Sequence, residues 1–163
     1  MKVVIIGTAV RTNRDKLSLK LWRDMIAKAK ELTPKGAHGI SGGAAWADHL
    51  VVELYRIGHL ANLTLHLPAP INPVNYDYIG PFKSAASAAN FYHYQFSDVL
   101  GYDTKRQIVE ALATLPVTYT AQEPAEGFRA MFTRNAIVAK EVTADDLSLA
   151  YTWGKDGVED SGT

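Results

Sequence analysis

The sequence contains no cysteine among its 163 residues. Disulfide bonds and thiolate-based metal or redox chemistry are therefore excluded. It also lacks an excess of either charge, because 17 lysines and arginines balance 17 aspartates and glutamates. With no overall basic field, a nucleic-acid partner is not expected, and only a local basic patch could support such binding.

Long apolar runs are absent as well. The N-terminal run MKVVIIGTAV is too short and too quickly interrupted for a signal peptide or a membrane span. No later run approaches the roughly 20 apolar residues that a spanning helix needs. We therefore expect no membrane partner, a cytoplasmic location, and a single domain over residues 1–163.

The sequence does contain alternating strand and helix patterns. Apolar, often β-branched runs predict strands at 2–7, 37–40, 63–67, 117–120 and 146–152. Helical spacing predicts helices at 17–32, 44–57, 103–115 and 128–140. We expect Asp15 to cap the first helix. We expect the side chains of Phe128, Met131 and Phe132 in the last helix to pack in the core. This order predicts an α/β fold with a mostly parallel five-stranded sheet.

Residues 68–101 interrupt the alternation. This stretch is rich in proline, asparagine and aromatic residues, and predicts an irregular aromatic loop insertion that ends in a short helix and turn. The aromatic rings near His93 are open to three interpretations, namely a lid or ligand wall, an interface, or a small satellite core. His93 has no second histidine at a recognised metal spacing, so neither a metal site nor a cofactor is predicted.

The stretch AHGISGGAAWADHL, residues 37–50, predicts a strand, a glycine turn and a helix start. The amides at Ser41 to Ala44 and the helix dipole would suit a phosphate. Alternatively, Gly42 and Gly43 only permit a tight turn. Asp48 would lie near a bound sugar. Trp46 either stacks on a base or packs against the next loop.

Two further segments carry candidate ligand contacts. The first strand ends in a small-residue loop at Gly7 and Thr8, the usual ligand position in a parallel sheet. Arg11 there either holds a phosphate bidentately or is solvated. Arg134 and Asn135, in the middle of the last predicted helix, either reach the ligand edge of the sheet or face solvent.

Taken in order, these segments resemble the SLOG superfamily. KVVIIGT resembles its first strand and loop, ISGGAAWADHLVVELYRIG its Gly-Gly loop, and FRAMFTRNAIVAKEVTADDLSLAYTWG its arginine-bearing helix and the strand before its second glycine loop. The superfamily includes the LOG nucleotide phosphoribohydrolases and the DNA-processing protein A domain. The resemblance covers nearly the whole chain. It implies a Rossmann-like three-layer sandwich, a nucleotide ligand, and a homodimer or higher homo-oligomer.

The sequence departs from this family at two places. Trp46 stands where many relatives carry glycine, which should reshape the phosphate loop. The second glycine loop of the LOG enzymes is matched only loosely by KDGVEDSGT, and their catalytic glutamate has no counterpart in this sequence. The arginine of the family is matched by Arg134.

The resemblance implies binding of a nucleotide or nucleotide derivative at the Gly42–Gly43 turn, with hydrolysis of its N-glycosidic bond. The alternative is a non-catalytic sensor or sequestering protein for a signalling nucleotide such as an ADP-ribose derivative. The candidate catalytic residues are Asp48, Arg134 and His93. The candidate ligand-binding residues are Gly7, Thr8, Arg11, Ser41, Gly42, Gly43, Ala44, Trp46, Asn135, Trp153 and Gly154.

Overall fold

The computed structural model describes residues 1–9 and 14–152. Within these residues there are five strands and five α-helices, with two successive helices between the third and fourth strands. The strands are β1 (Lys2–Gly7), β2 (His38–Ser41), β3 (Asn62–Leu67), β4 (Thr118–Ala121) and β5 (Leu147–Tyr151). The helices are α1 (Leu19–Leu32), α2 (Leu50–Arg56), α3 (Ala85–Leu100), α4 (Thr104–Leu112) and α5 (Arg129–Lys140), and short 3-10 helices span Arg14–Lys16 and Trp46–His49.

The strands form one sheet in the order β4-β3-β2-β1-β5, and every neighbouring pair is parallel. The predicted α/β fold with a five-stranded parallel sheet is therefore confirmed. Because all five strands run the same way, their carboxyl ends meet at one edge. In β1, which lies between the central strand β2 and the edge strand β5, Val4 is paired with Ile40 on one side and Ser148 on the other.

The two faces of the sheet carry cores of different size. Val3 and Ile5 of β1 point into the larger core, with Trp22 of α1 and Leu50 of α2. Val4 points to the opposite face, where it packs with Ile40 and Val138 of α5. Successive side chains of β1 thus alternate between the two cores, as expected for a strand that is covered on both faces of the sheet. The result is the three-layer, Rossmann-like arrangement of helices, sheet and helix.

The helix after the Gly-Gly turn differs from the prediction. The expected helix over 44–57 is instead a 3-10 helix at Trp46–His49 followed by the seven-residue α2. Trp46 has a φ of 64°, the left-handed region that interrupts regular helix. The imidazole of His49 is fully buried here, and its Nε2 is hydrogen-bonded to Gln107 at 2.7 Å.

Helix boundaries elsewhere follow local capping chemistry. Ser18, not Asp15, caps α1, because its hydroxyl accepts from the Leu21 amide at 3.0 Å. Asp103 caps α4 as predicted. The expected short helix before residue 101 is wrong in length, since α3 has 16 residues, begins with a capping box at Ser84 and ends at the left-handed Gly101.

The remainder of the predicted insertion, residues 69–83, forms a segment that we call the strap. A bridge between Ile71 and Tyr78 closes it on itself. The Asn90 side chain on α3 then holds it, accepting from the Tyr78 amide at 2.8 Å and donating to the Tyr78 carbonyl at 3.0 Å. The Tyr78 ring is buried. Tyr78 thus anchors the strap to the core and does not form a ligand wall, while most of the strap, including Val74 and Phe82, is exposed.

Candidate functional site

A cavity of about 430 Å³ lies where the carboxyl edge of the sheet meets α5. Its size is in the range of small-molecule sites. It brings together six residues singled out from the sequence, namely Gly7, Thr8, Ala44, Asp48, Arg134 and Asn135. Arg11, Trp153 and Gly154 lie outside the described residues.

Asp48 forms part of the cavity floor and is only 4% exposed. Its Oδ2 accepts a hydrogen bond from the Gly42 amide at 3.2 Å. Burial raises the pKa of Asp48 above its ordinary value of 3.8, while the Arg134 guanidinium and the amides of Ala44 and Gly42 oppose that shift. The carboxyl group is therefore adapted to take up or release a proton nearer neutrality than a solvated aspartate.

This arrangement corrects the prediction for the Gly-Gly turn. The amide of Gly42 already donates to the protein's own carboxylate, so it is not an open cradle for a phosphate. Ser41 is fully buried, and its hydroxyl donates to the carbonyl of Ile5 at 2.5 Å. The turn therefore fixes Asp48 through the amides of Gly42 and Ala44.

Arg134 reaches the same turn from α5 and is only 5% exposed. Its Nη1 donates to the Gly42 carbonyl at 2.6 Å, and its Nε donates to Oδ1 of Asn135 at 2.9 Å. A Cβ on residue 42 would lie 2.8 Å from both Arg134 Nε and Asp48 Oδ2. Position 42 thus requires glycine, because the side chains of Arg134 and Asp48 lie too close to its α-carbon to leave room for a Cβ.

His93 holds the other glycine of the turn. The carbonyl of Gly43 accepts from His93 Nε2 and from the Tyr78 hydroxyl, each at 2.9 Å. Because a carbonyl only accepts, Nε2 carries the proton, and Nδ1 accepts from the Thr104 hydroxyl at 2.8 Å. Burial lowers the pKa of His93 to about 3. His93 is thus a neutral, fully buried residue that positions Gly43 and is not among the cavity-lining residues, so this geometry gives no support to its predicted catalytic role.

Trp46 also lies away from the main cavity. Its ring is buried, with its centroid 4.5 Å from that of Phe96 and 6.2 Å from that of Trp22. Of the two alternatives for Trp46, this geometry favours packing, here against Phe96 and Trp22, over stacking on a base. Its φ of 64° is a conformation that glycine adopts freely and other residues rarely do. The packing of its large ring offsets that backbone strain.

Two of the three aromatic residues that line the cavity were expected in the core. Phe128 and Phe132 line the cavity instead and are 48% and 67% exposed. Tyr92 of α3, one of the rings near His93 for which a ligand wall was one interpretation, lines it too. The available signal was the spacing of two phenylalanines four residues apart on the arginine-bearing helix, which places both on one face.

The described part of the chain contains no group of three histidine, aspartate or glutamate side chains that could hold a metal ion. Within residues 1–9 and 14–152, no helix has both the length and the apolar character required to cross a bilayer.

Comparison with known proteins gives one curated relative. An uncharacterized protein of Acanthamoeba polyphaga mimivirus is 32% identical over 116 residues, which is 70% of this chain. The match covers 56% of the viral protein, so the chain spans just over half the length of that relative. No family model matches the chain, and no solved structure does.

Proposed function

We propose that this protein binds a nucleotide or nucleotide derivative in the cavity between the carboxyl edge of the sheet and α5. The observation that carries the proposal is that one cavity combines a buried aspartate and a buried arginine at its floor with aromatic side chains at its mouth. Such a mixed lining, mostly apolar with a few convergent polar groups, is typical of small-molecule sites. The position beyond the ends of parallel strands supports the same proposal.

Arg134 is the proposed anchor for ligand charge. A guanidinium has five N–H donors, and the internal hydrogen bonds of Arg134 to Gly42 and Asn135 use one each from Nη1 and Nε. The remaining donors suit a phosphate or a sugar hydroxyl. Thr8, at the end of β1, lines the opposite side of the same cavity.

We further propose that the ligand is hydrolysed at its N-glycosidic bond. In such a reaction, water adds to the anomeric carbon, and the base leaves with the electron pair of the broken bond and takes up a proton. A carboxylate beside that carbon would stabilise oxocarbenium character and activate the water. Asp48 supports this role because it lines the cavity and its pKa is raised by burial.

Binding without turnover is the second candidate function. The sensor or sequestering alternative is favoured by the burial of His93, a candidate catalytic residue that is not among the cavity-lining residues. It is also favoured by the hydrogen bond that ties Asp48 to Gly42. Homo-oligomer formation and a cytoplasmic location stay predictions.

The test combines ligand stabilisation with product analysis. Nucleoside monophosphates and ADP-ribose are added to the protein, thermal unfolding is followed, and free base or unchanged ligand is quantified by chromatography. A ligand at about 100 times its dissociation constant stabilises the fold by about 2.7 kcal/mol. Base release that disappears in Asp48→Asn but persists in the exposed-site control Asp98→Asn supports hydrolysis. Stabilisation with intact ligand supports the sensor, and no stabilisation by any compound contradicts both.

A further inference from the structure

The mouth of the cavity is bordered by aromatic rings from two helices. We call these rings the aromatic slot, formed by Tyr92 of α3 together with Phe128 and Phe132 of the α5 region. Phe132 is 67% exposed, although hydrophobic burial would favour covering a ring of that size. Exposed apolar side chains that border a cavity often mark a ligand groove.

The charges beneath the slot offset each other. Among the described residues that line the cavity, Arg134 is the one cation and Asp48 the one anion. Both are hydrogen-bonded to Gly42, Arg134 to its carbonyl and Asp48 to its amide. This part of the cavity thus has no excess positive charge for a chain of phosphates, and it suits a flat, uncharged ring.

Asn135 adds a directional contact beside the slot. Its Oδ1 accepts from Arg134 Nε, which is a donor only, so the orientation of the amide is fixed. The Nδ2 group therefore presents two N–H donors on the side away from Arg134. Asn135 is exposed and lines the cavity. A ring with hydrogen-bond acceptors on its edge complements these donors.

We infer that the aromatic slot binds the nucleobase, with Phe132 stacked on the ring and Asn135 donating to an acceptor on its edge. The inference rests on the proposed function and defines its substrate class as base-bearing mononucleotides, in contrast to free sugar phosphates. The sugar and its phosphate then lie toward Thr8 and Arg134. This orientation places the base at the entrance, where it can leave without crossing the cavity floor.

The experiment measures affinity without turnover. Formycin A 5′-monophosphate and pseudouridine 5′-monophosphate carry C-glycosidic bonds that resist hydrolysis, and ribose 5-phosphate lacks a base. Their dissociation constants are determined by calorimetry for the wild type and for Phe132→Leu. The matched control is Phe91→Leu, an exposed phenylalanine on α3 that is not among the cavity-lining residues. Asn135→Asp keeps the acceptor for Arg134 and removes both donors.

We expect Phe132→Leu to weaken binding of the C-nucleotides about tenfold, a typical loss for one stacked base. Its affinity for ribose 5-phosphate should be unchanged, and Phe91→Leu should behave as the wild type. Asn135→Asp should weaken the C-nucleotides more than ribose 5-phosphate.

Two results overturn the inference and are distinguishable. If the C-nucleotides bind but Phe132→Leu and Phe91→Leu have equal affinities for them, the base is not in the slot, and the proposed function survives. If neither the C-nucleotides nor the natural nucleotides bind the wild type, the proposed function fails and the inference fails with it.

Discussion

Replacing Arg134 with methionine tests whether the cavity floor is a compensated charge pair. Methionine keeps a long apolar side chain and removes the guanidinium. The change deletes the hydrogen bond from Nη1 to the Gly42 carbonyl. It also leaves Asp48, only 4% exposed, without the cation that favours its ionised form.

The expected cost follows from these two losses. A hydrogen bond from a charged donor contributes about 1.5–3 kcal/mol. Arg134 and Asp48 interact through space and not by a direct ion pair, so the loss of about 3–5 kcal/mol that follows removal of one partner of a buried ion pair is an upper bound for the total cost. We therefore expect Arg134→Met to lower the free energy of unfolding by no more than about 3–5 kcal/mol. In an Asp48→Asn background no carboxylate is left uncompensated, so the same change should cost about 1–3 kcal/mol less.

Urea denaturation at neutral pH measures this coupling in a double-mutant cycle of wild type, Arg134→Met, Asp48→Asn and the double variant. Arg129→Met is the control, because Arg129 lies on the same helix and is exposed. It should change stability by no more than about 0.5 kcal/mol. Losses that add within about 0.5 kcal/mol in the double variant would refute the reasoning, since independent sites behave that way.

Three further predictions concern the turn and the core. Gly42→Ala should destabilise the fold by about 1–3 kcal/mol in thermal unfolding, because the added Cβ would lie 2.8 Å from two charged side-chain atoms; an unchanged melting temperature would contradict this packing. Burial lowers the pKa of His49 to about 4 from 6.5, so this histidine is protonated first in the unfolded chain as pH falls; it should account for a loss of roughly 3 kcal/mol of stability between those values, added to the loss caused by the equally buried His93. Urea titrations across that range should show a shallower drop for His49→Gln, and an equal drop would exclude His49 as the cause. Trp46→Gly relieves the strain of the positive φ but removes a buried ring from the core. We expect it to lower the free energy of unfolding by about 3 kcal/mol in urea denaturation, and a gain in stability would contradict this expectation.

The sheet could be predicted because its signals are local. Each predicted strand boundary lies within one residue of the observed boundary. A continuous apolar run such as residues 2–7 indicates a strand that is buried on both faces, so the ends of the run mark the ends of the strand. Parallel pairing then followed from the intervening helices. Helix α3 was underestimated because its polar and aromatic residues conceal a helical pattern whose buried face includes His93.

The site could be predicted only in part. The sequence placed Asp48 just after the Gly-Gly turn and left Arg134 open between the edge of the sheet and solvent; both line the cavity. The sequence contained no sign that the Asp48 carboxylate would accept a hydrogen bond from the Gly42 amide. That contact depends on the 3-10 helix at Trp46–His49, which turns the carboxylate toward Gly42. The burial of Trp46 likewise depends on Phe96, fifty positions later, which periodicity within one segment does not reveal.

The resemblance to SLOG proteins stays a prediction. Its first two motifs fall on β1 and on the β2 turn, and its arginine-bearing helix is α5. The fold is compatible with it.

The hydrogen bonds of the Gly-Gly turn have a consequence for biosynthesis. Gly42 is held by a residue 92 positions later, and Gly43 by residues 35 and 50 positions later. A ribosome that has finished only β1, β2 and β3 has made the turn but none of these three partners. The floor of the cavity therefore assembles after most of the chain has emerged, and a nascent fragment that stops short of Arg134 would carry the two glycines without all of the contacts that hold them.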